Sequence, residues 1–103
     1  MNAPAPVAVG YTVATTPDAA FRQCEAIEEY ARTEGIALAQ IVTDDHDTIT
    51  ISQVAETARL HEAQLVLIPA GVVLAEVREG ITDALAPLGA ACVVVGHARE
   101  TEA

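Results

Sequence analysis

Two apolar segments without polar alternation constrain the fold of this chain more than any other feature. Leu65–Pro69 has the sequence LVLIP, and Ala90–Val95 has the sequence AACVVV. A strand with one face in water alternates apolar and polar side chains, whereas short continuous apolar runs are typical of strands covered on both faces. Such cover requires helices on both sides of a sheet. The two segments therefore predict a buried parallel sheet.

Four strand patterns alternate with three helical patterns along the chain. The strands are expected at Val7–Val13, Ile36–Val42, Leu65–Pro69 and Ala90–Val95. The helices are expected at Pro17–Glu34, from Ile51 to about His61 or Glu62, and from about Leu74 to Leu88. Gly80 weakens the middle of the third helix. The order βαβαβαβ with short connections predicts an α/β fold: a three-layer, doubly wound, four-stranded parallel sheet.

Local signals mark where the first two helices begin. Thr16 followed by Pro17 is a typical N-cap and first helical residue, and Gly35 is a typical C-terminal stop. Thr50 and Gln53 have the spacing of a capping box. These signals predict that Thr15 and Thr16 end a strand and cap a helix.

The length and charge of the chain limit its domain organisation and its partners. The chain has 103 residues, enough for one core, so a single domain is expected at 7–96, with a flexible tail at 1–6 and a frayed acidic tail at 97–103. Its net charge is −10, with 15 acidic residues, five scattered arginines and no lysine. A surface of this kind repels phosphate backbones, so direct nucleic-acid binding is disfavoured.

Several other classes of protein are disfavoured by the composition. No apolar run approaches the roughly 20 residues of a membrane span, and the first residues carry no basic charge. A cytoplasmic protein is therefore expected. Cys24 and Cys92 lie in helical and strand patterns and are interpreted as small buried apolar residues. Neither a metal ion nor a cofactor is expected.

The segment GYTVATTPDAAFRQCEAIEEYARTEG, Gly10–Gly35, resembles the start of the catalytic domain of serine recombinases, the resolvase and invertase family. That family has a strand of the type Gly-Tyr-x-Arg-Val-Ser-Thr, followed by a helix with a Gln-x-x-Ala-Ile-x-x-Tyr-Ala pattern and a terminal glycine. The residues that match the helix pattern are Gln23, Ala26, Ile27, Tyr30, Ala31 and Gly35. The likeness extends more weakly over the later strands and implies a resolvase-like fold.

The family's chemistry does not carry over to this sequence. Thr15 stands at the position of the serine nucleophile and Val13 at that of a neighbouring arginine. Val72 and Val73 stand near an Asp-Arg pair of the family, and Glu76 stands near a further arginine. A carboxylate repels the phosphate that an arginine would bind. The resemblance therefore implies a domain without the active site, and no enzymatic activity is expected.

A ligand site at the carboxyl edge of the sheet is an alternative, because parallel sheets bind ligands there. Its candidate residues are Thr15, Thr16, Asp44 and Asp45. The segment DDHD, Asp44–Asp47, has oxygen ligands suited to a divalent ion, but it lacks the spacing of a calcium loop. A solvated acidic loop is the favoured interpretation. Nucleotide binding by the segment after Pro69 is disfavoured because it has one glycine and no lysine.

The favoured function is protein–protein association, either with a second copy in a homo-oligomer or with an unidentified regulatory partner. The candidate interface is an apolar patch at the start of the third helix, formed by Val72, Val73, Leu74 and Val77. A small-molecule, nucleotide or metal-binding domain remains the alternative, and an active DNA recombinase is the least favoured hypothesis.

Overall fold

A computed structural model of the chain describes residues 5–44, 49–71 and 75–96. Its strands are β1 (Val7–Val13), β2 (Ala37–Asp44), β3 (Leu65–Pro69) and β4 (Ala91–Val95). Its helices are α1 (Pro17–Glu34), α2 (Ile51–Leu60) and α3 (Ala75–Leu85), and α3 continues into a 3-10 turn, Ala86–Leu88. The predicted C-terminal tail and most of the predicted N-terminal tail lie outside the described residues.

The predicted three-layer α/β arrangement is confirmed. The four strands are parallel and lie in the spatial order β2-β1-β3-β4. Helix α1 covers one face of the sheet through Ile27 and Ala31, which pack with Ala8 and Leu67. Helices α2 and α3 cover the other face, where their buried residues pack with β1 and β3. Two helices on one face and one on the other produce a doubly wound sheet.

The predicted helix caps are also present. The Thr16 hydroxyl accepts a hydrogen bond from the backbone N–H of Ala19 at 3.2 Å, and Gly35 ends α1 with φ of 69°. Thr50 and Gln53 form the reciprocal bonds of a capping box at the start of α2. Each signal acts within a few residues of the chain, so the sequence suffices to predict it.

Two predicted boundaries differ from the structure by more than one residue. Strand β2 continues two residues beyond Val42, to Asp44, because it stays paired with β1 as far as Val13. The third helix ends at Leu85, and Pro87 lies in the tighter 3-10 turn that follows it. The predicted start of this helix at Leu74 falls outside the described residues. No helix in the described ranges is long and apolar enough to cross a membrane.

Glycine allows close packing between α2 and α3. A β-carbon at Gly80 would lie 2.6 Å from Cδ1 of Ile51, which is closer than two carbon atoms can approach. From the sequence alone, Gly80 is expected only to weaken the third helix. In the folded chain its missing side chain leaves space for Ile51, so the cost in helix propensity is offset by closer packing.

Candidate functional site

The carboxyl edge of the sheet opens between β1 and β3. The two strands pair only over Ala8–Gly10, whereas β1 stays paired with β2 as far as Val13 and β3 with β4 as far as Pro69. Beyond Gly10 the two central strands separate, and the chain leaves β1 and β3 toward opposite faces of the sheet. Doubly wound sheets bind their ligands at a switch point of this kind.

Gln23 of α1 fills part of the opening between the two strands. Its Nε2 donates to the backbone carbonyl of Val13 at 2.8 Å, and its Oε1 accepts from the backbone N–H of Val13 at 3.0 Å. The side-chain amide thus supplies hydrogen-bond partners for both the backbone N–H and the backbone carbonyl of Val13, as a neighbouring strand would. In the sequence, Gln23 is only one of the residues that match the helix pattern of the resemblance. This role of its side chain is not predicted, because helical periodicity does not indicate which backbone group a side chain reaches.

Thr15 and Thr16 lie beside this opening on the exposed turn between β1 and α1. They line a shallow depression of about 300 Å³ together with Ala14, Pro17, Ala20 and Thr43. The hydroxyl of Thr16 is engaged as the helix cap. In the described ranges no side chain forms a hydrogen bond with the Thr15 hydroxyl, and a threonine nucleophile requires an activating base. The geometry in these ranges is that of a turn and a cap.

Asp44 is buried at the end of β2, so the prediction that it belongs to a solvated loop is wrong. Its side chain is 1% exposed, and its Oδ2 accepts hydrogen bonds from the Tyr11 hydroxyl and the backbone N–H of Ile49, both at 3.3 Å. A carboxylate is buried at low cost only where donors replace water. The bonds with Tyr11 and Ile49 link β1, β2 and the start of α2.

The predicted ligand residues do not form one cluster in the described structure. Asp44 lies with Tyr11 on the face of the sheet that α2 covers. The depression at Thr15 and Thr16 reaches Thr43 instead. The side chain of Thr43 is hydrogen-bonded to that of Thr12, on the face that α1 covers. Asp45 lies outside the described residues. Across residues 5–44, 49–71 and 75–96, no three histidine, cysteine or acidic side chains are placed to hold a metal ion.

A second depression, of about 160 Å³, lies on the α1 side at the carboxyl ends of β3 and β4. It is lined by Arg22 and Gln23 from α1, by Pro69 and Ala70 after β3, and by Gly96 after β4, among others. Arg22 is exposed and forms no ion pair with another described residue. A single exposed guanidinium binds an anion weakly, whereas stabilising a transferring phosphoryl group requires several preorganised cations.

The predicted interface patch is only partly described. Val72, Val73 and Leu74 lie outside the described residues. Val77 is half-buried and packs against the core formed by α2 and α3, and Glu76 is exposed in the first turn of α3. Val77 therefore contributes part of its side chain to the core of the domain.

The outer edge of β4 is a feature that the sequence patterns do not predict. In the described part of the chain no strand pairs with this edge. Ala91 is exposed, and Cys92, Val93 and Val94 are half-buried. Burial raises the pKa of the Cys92 thiol above its ordinary value, while the charge of Arg78 and a hydrogen bond with Thr82 act in the opposite direction. Within the described residues this edge is apolar and uncharged, and its outward backbone groups pair with no strand.

Comparisons with known proteins add no relative to these observations. No protein-family model matches the chain, and neither the curated proteins nor the solved structures gave a significant match.

Proposed function

We propose that this chain is a non-catalytic, resolvase-like domain that acts by associating with a second copy of itself. The observation that carries the proposal is the outer edge of β4, with which no strand of residues 5–44, 49–71 and 75–96 pairs. An exposed, apolar and uncharged edge strand is a template for pairing with another chain, and proteins that remain monomeric usually protect such edges. Self-association covers the edge without any change in the fold.

The surroundings of Thr15 support the non-catalytic part of the proposal. A recombinase-type reaction needs an activated nucleophile beside several cations. In the described residues Thr15 has no base within hydrogen-bonding distance. Val13, at the position of the family's arginine, is hydrogen-bonded to Gln23 through its backbone and supplies no cation. Arg32 and Arg59 are paired with Glu29 and Glu56 on the helix surfaces. The net charge of −10 further disfavours binding of a DNA backbone.

Sedimentation equilibrium of the purified chain tests self-association directly. We expect the mean mass to rise with concentration from the monomer mass of 10.7 kDa toward that of a dimer. A single species of 10.7 kDa at every concentration, up to the millimolar range, would refute the proposal. An assay with supercoiled plasmid tests the second part: cleavage that Thr15→Ala abolishes would show that the domain is catalytic.

Small-ligand binding at the carboxyl edge is a second candidate function, favoured by the depression that Arg22 and Gly96 line. A ligand that binds only the folded state raises the unfolding temperature. Under this hypothesis a nucleotide or inorganic phosphate raises the Tm, and Arg22→Ala removes the shift while Arg32→Ala preserves it. No shift with either compound at millimolar concentration would exclude this site for anions.

A further inference from the structure

We propose that two copies pair through β4, antiparallel across a two-fold axis at Val93, so that their sheets join into one continuous sheet. This inference rests on the self-association proposed above and specifies its surface, its symmetry and its register. The occupant of the open edge is a second copy of this chain.

The two edges of the sheet differ in how well they are protected. The pairing of β1 with β2 shifts register between Ala8 and Val9, which leaves Ala39 as an extra residue in β2. A bulge of this kind twists an edge and disfavours pairing with another strand. Gln40 on β2 is also bonded to His61, at 2.9 Å. Strand β4 pairs with β3 without interruption and has neither a bulge nor a charged side chain.

The backbone of β4 determines the register. Ala91 donates its N–H to Gln64 at 2.9 Å, and the carbonyl of Val95 accepts from Ala70 at 3.0 Å, so both residues direct these groups toward β3. The backbone N–H and C=O groups of successive residues in a strand point to opposite sides. Cys92 and Val94 therefore direct their N–H and C=O groups away from β3, toward the outer edge. In an antiparallel pair centred on Val93, Cys92 of one copy exchanges two hydrogen bonds with Val94 of the other.

The charges beside β4 also suit a two-fold pair. The edge strand itself carries no charge, although the chain has a net charge of −10. On α3, half-buried Arg78 lies near Cys92 and borders a depression shared with Glu79 and Asp83. Arg78 forms no ion pair with any described residue. A two-fold axis brings the α3 flanks of the two copies together, so each arginine can meet the other copy's carboxylates.

Disulfide trapping tests the register. In a background carrying Cys24→Ser and Cys92→Ser, Val93→Cys places one thiol per chain at the axis. Residues facing each other there form a non-hydrogen-bonded pair with Cα atoms about 4.5 Å apart. That distance falls within the range that a disulfide spans. We expect Val93→Cys to form a covalent dimer under mild oxidation, measured by non-reducing electrophoresis and mass spectrometry.

The matched control is Ala39→Cys in the same background, which places a thiol on the exposed opposite edge. It reports cross-linking by random collision and should stay monomeric. Equal rates for the two variants would overturn the proposed interface. A wild-type dimer without a Val93→Cys cross-link would overturn the interface and leave self-association standing. A wild-type chain that stays monomeric would overturn both the interface and self-association. Protection of the Val93→Cys thiol from alkylation in that monomer would show that other residues of the same chain cover β4.

A charge reversal provides an independent test. Arg78→Glu places a further carboxylate beside Glu79 and Asp83, whereas Arg22→Glu makes the same change in net charge on the exposed surface of α1. General repulsion between copies is therefore equal in the two variants. We expect Arg78→Glu to weaken association at least tenfold more than Arg22→Glu in sedimentation. Equal effects would show that the α3 flank lies outside the interface.

Discussion

Asp44 shows how one buried residue joins three elements of the fold. Its carboxylate accepts bonds from the Tyr11 hydroxyl of β1 and from the backbone of Ile49, just before α2. Residues 45–48 lie between these elements and outside the described structure. The buried acid thus holds the end of β2 against the start of α2.

We predict that Tyr11→Phe destabilises the chain by about 1–3 kcal/mol, because it removes a donor from a buried carboxylate and leaves the packing of the ring intact. Urea unfolding monitored by circular dichroism measures the change. Tyr30→Phe is the matched control, since the hydroxyl of Tyr30 forms no hydrogen bond with a described residue. If the two variants are equally stable, the Tyr11 bond contributes nothing measurable to stability.

The two threonines at the start of α1 differ in their hydrogen bonds. The hydroxyl of Thr16 accepts from the N–H of Ala19, whereas Thr15 has no such bond in the described structure. We predict that Thr16→Ala costs about 1 kcal/mol of unfolding free energy. Thr15→Ala should change it by less than about 0.5 kcal/mol. Chemical denaturation of both variants checks this, and the reverse order of stabilities would contradict the assignment of the cap.

The contact between α2 and α3 gives a second prediction at the scale of the elements. Alanine at Gly80 gains about 1 kcal/mol of helix propensity, but its β-carbon would collide with Cδ1 of Ile51. Overpacking of this kind costs about 1–3 kcal/mol, so Gly80→Ala alone should bring no net gain.

Ile51→Val removes the colliding methyl group. In that background we expect Gly80→Ala to stabilise the chain by about 1 kcal/mol, because only the propensity gain remains. A double-mutant cycle measured by urea unfolding reports the coupling between the two positions. Additivity within about 0.5 kcal/mol would show that the two side chains do not meet.

At the scale of the whole molecule, the net charge opposes contact between two copies of the chain. Two copies each carrying −10 repel by on the order of 10 kcal/mol at a centre separation of about 30 Å in water without salt. The Debye length falls from about 30 Å at 10 mM salt to about 8 Å at 150 mM, which removes most of this repulsion. An exposed ion pair contributes at most about 1 kcal/mol, so repulsion outweighs any pairs formed by Arg78.

We therefore predict that self-association strengthens as sodium chloride rises from about 10 to about 150 mM, because the added salt screens this repulsion. Sedimentation equilibrium at several salt concentrations measures the dissociation constant. The unfolding temperature of each sample serves as the control for a change in the fold. Association that weakens with salt would show that specific ion pairs, rather than the net charge, dominate the interface.

Local sequence signals predict much of the fold but less of the candidate site. The bounds of α1, β1 and β3 follow from caps and apolar runs that act over a few residues. The burial of Asp44 does not follow from such signals, because an acidic run resembles a solvated loop until the pairing of β2 with β1 extends it. Gln23 likewise acquires its partner only when α1 packs over the opening beside Val13.

The amino-acid sequence by itself determined the α/β class, the number of strands and the capping of the first two helices. These properties depend on periodicity and on hydrogen bonds between near neighbours. Only the tertiary structure decided which strands occupy the edges of the sheet. It also decided which helix covers each face, and why Gly80 is needed. Those properties depend on contacts between segments far apart in the chain, which the pattern of any single segment does not encode.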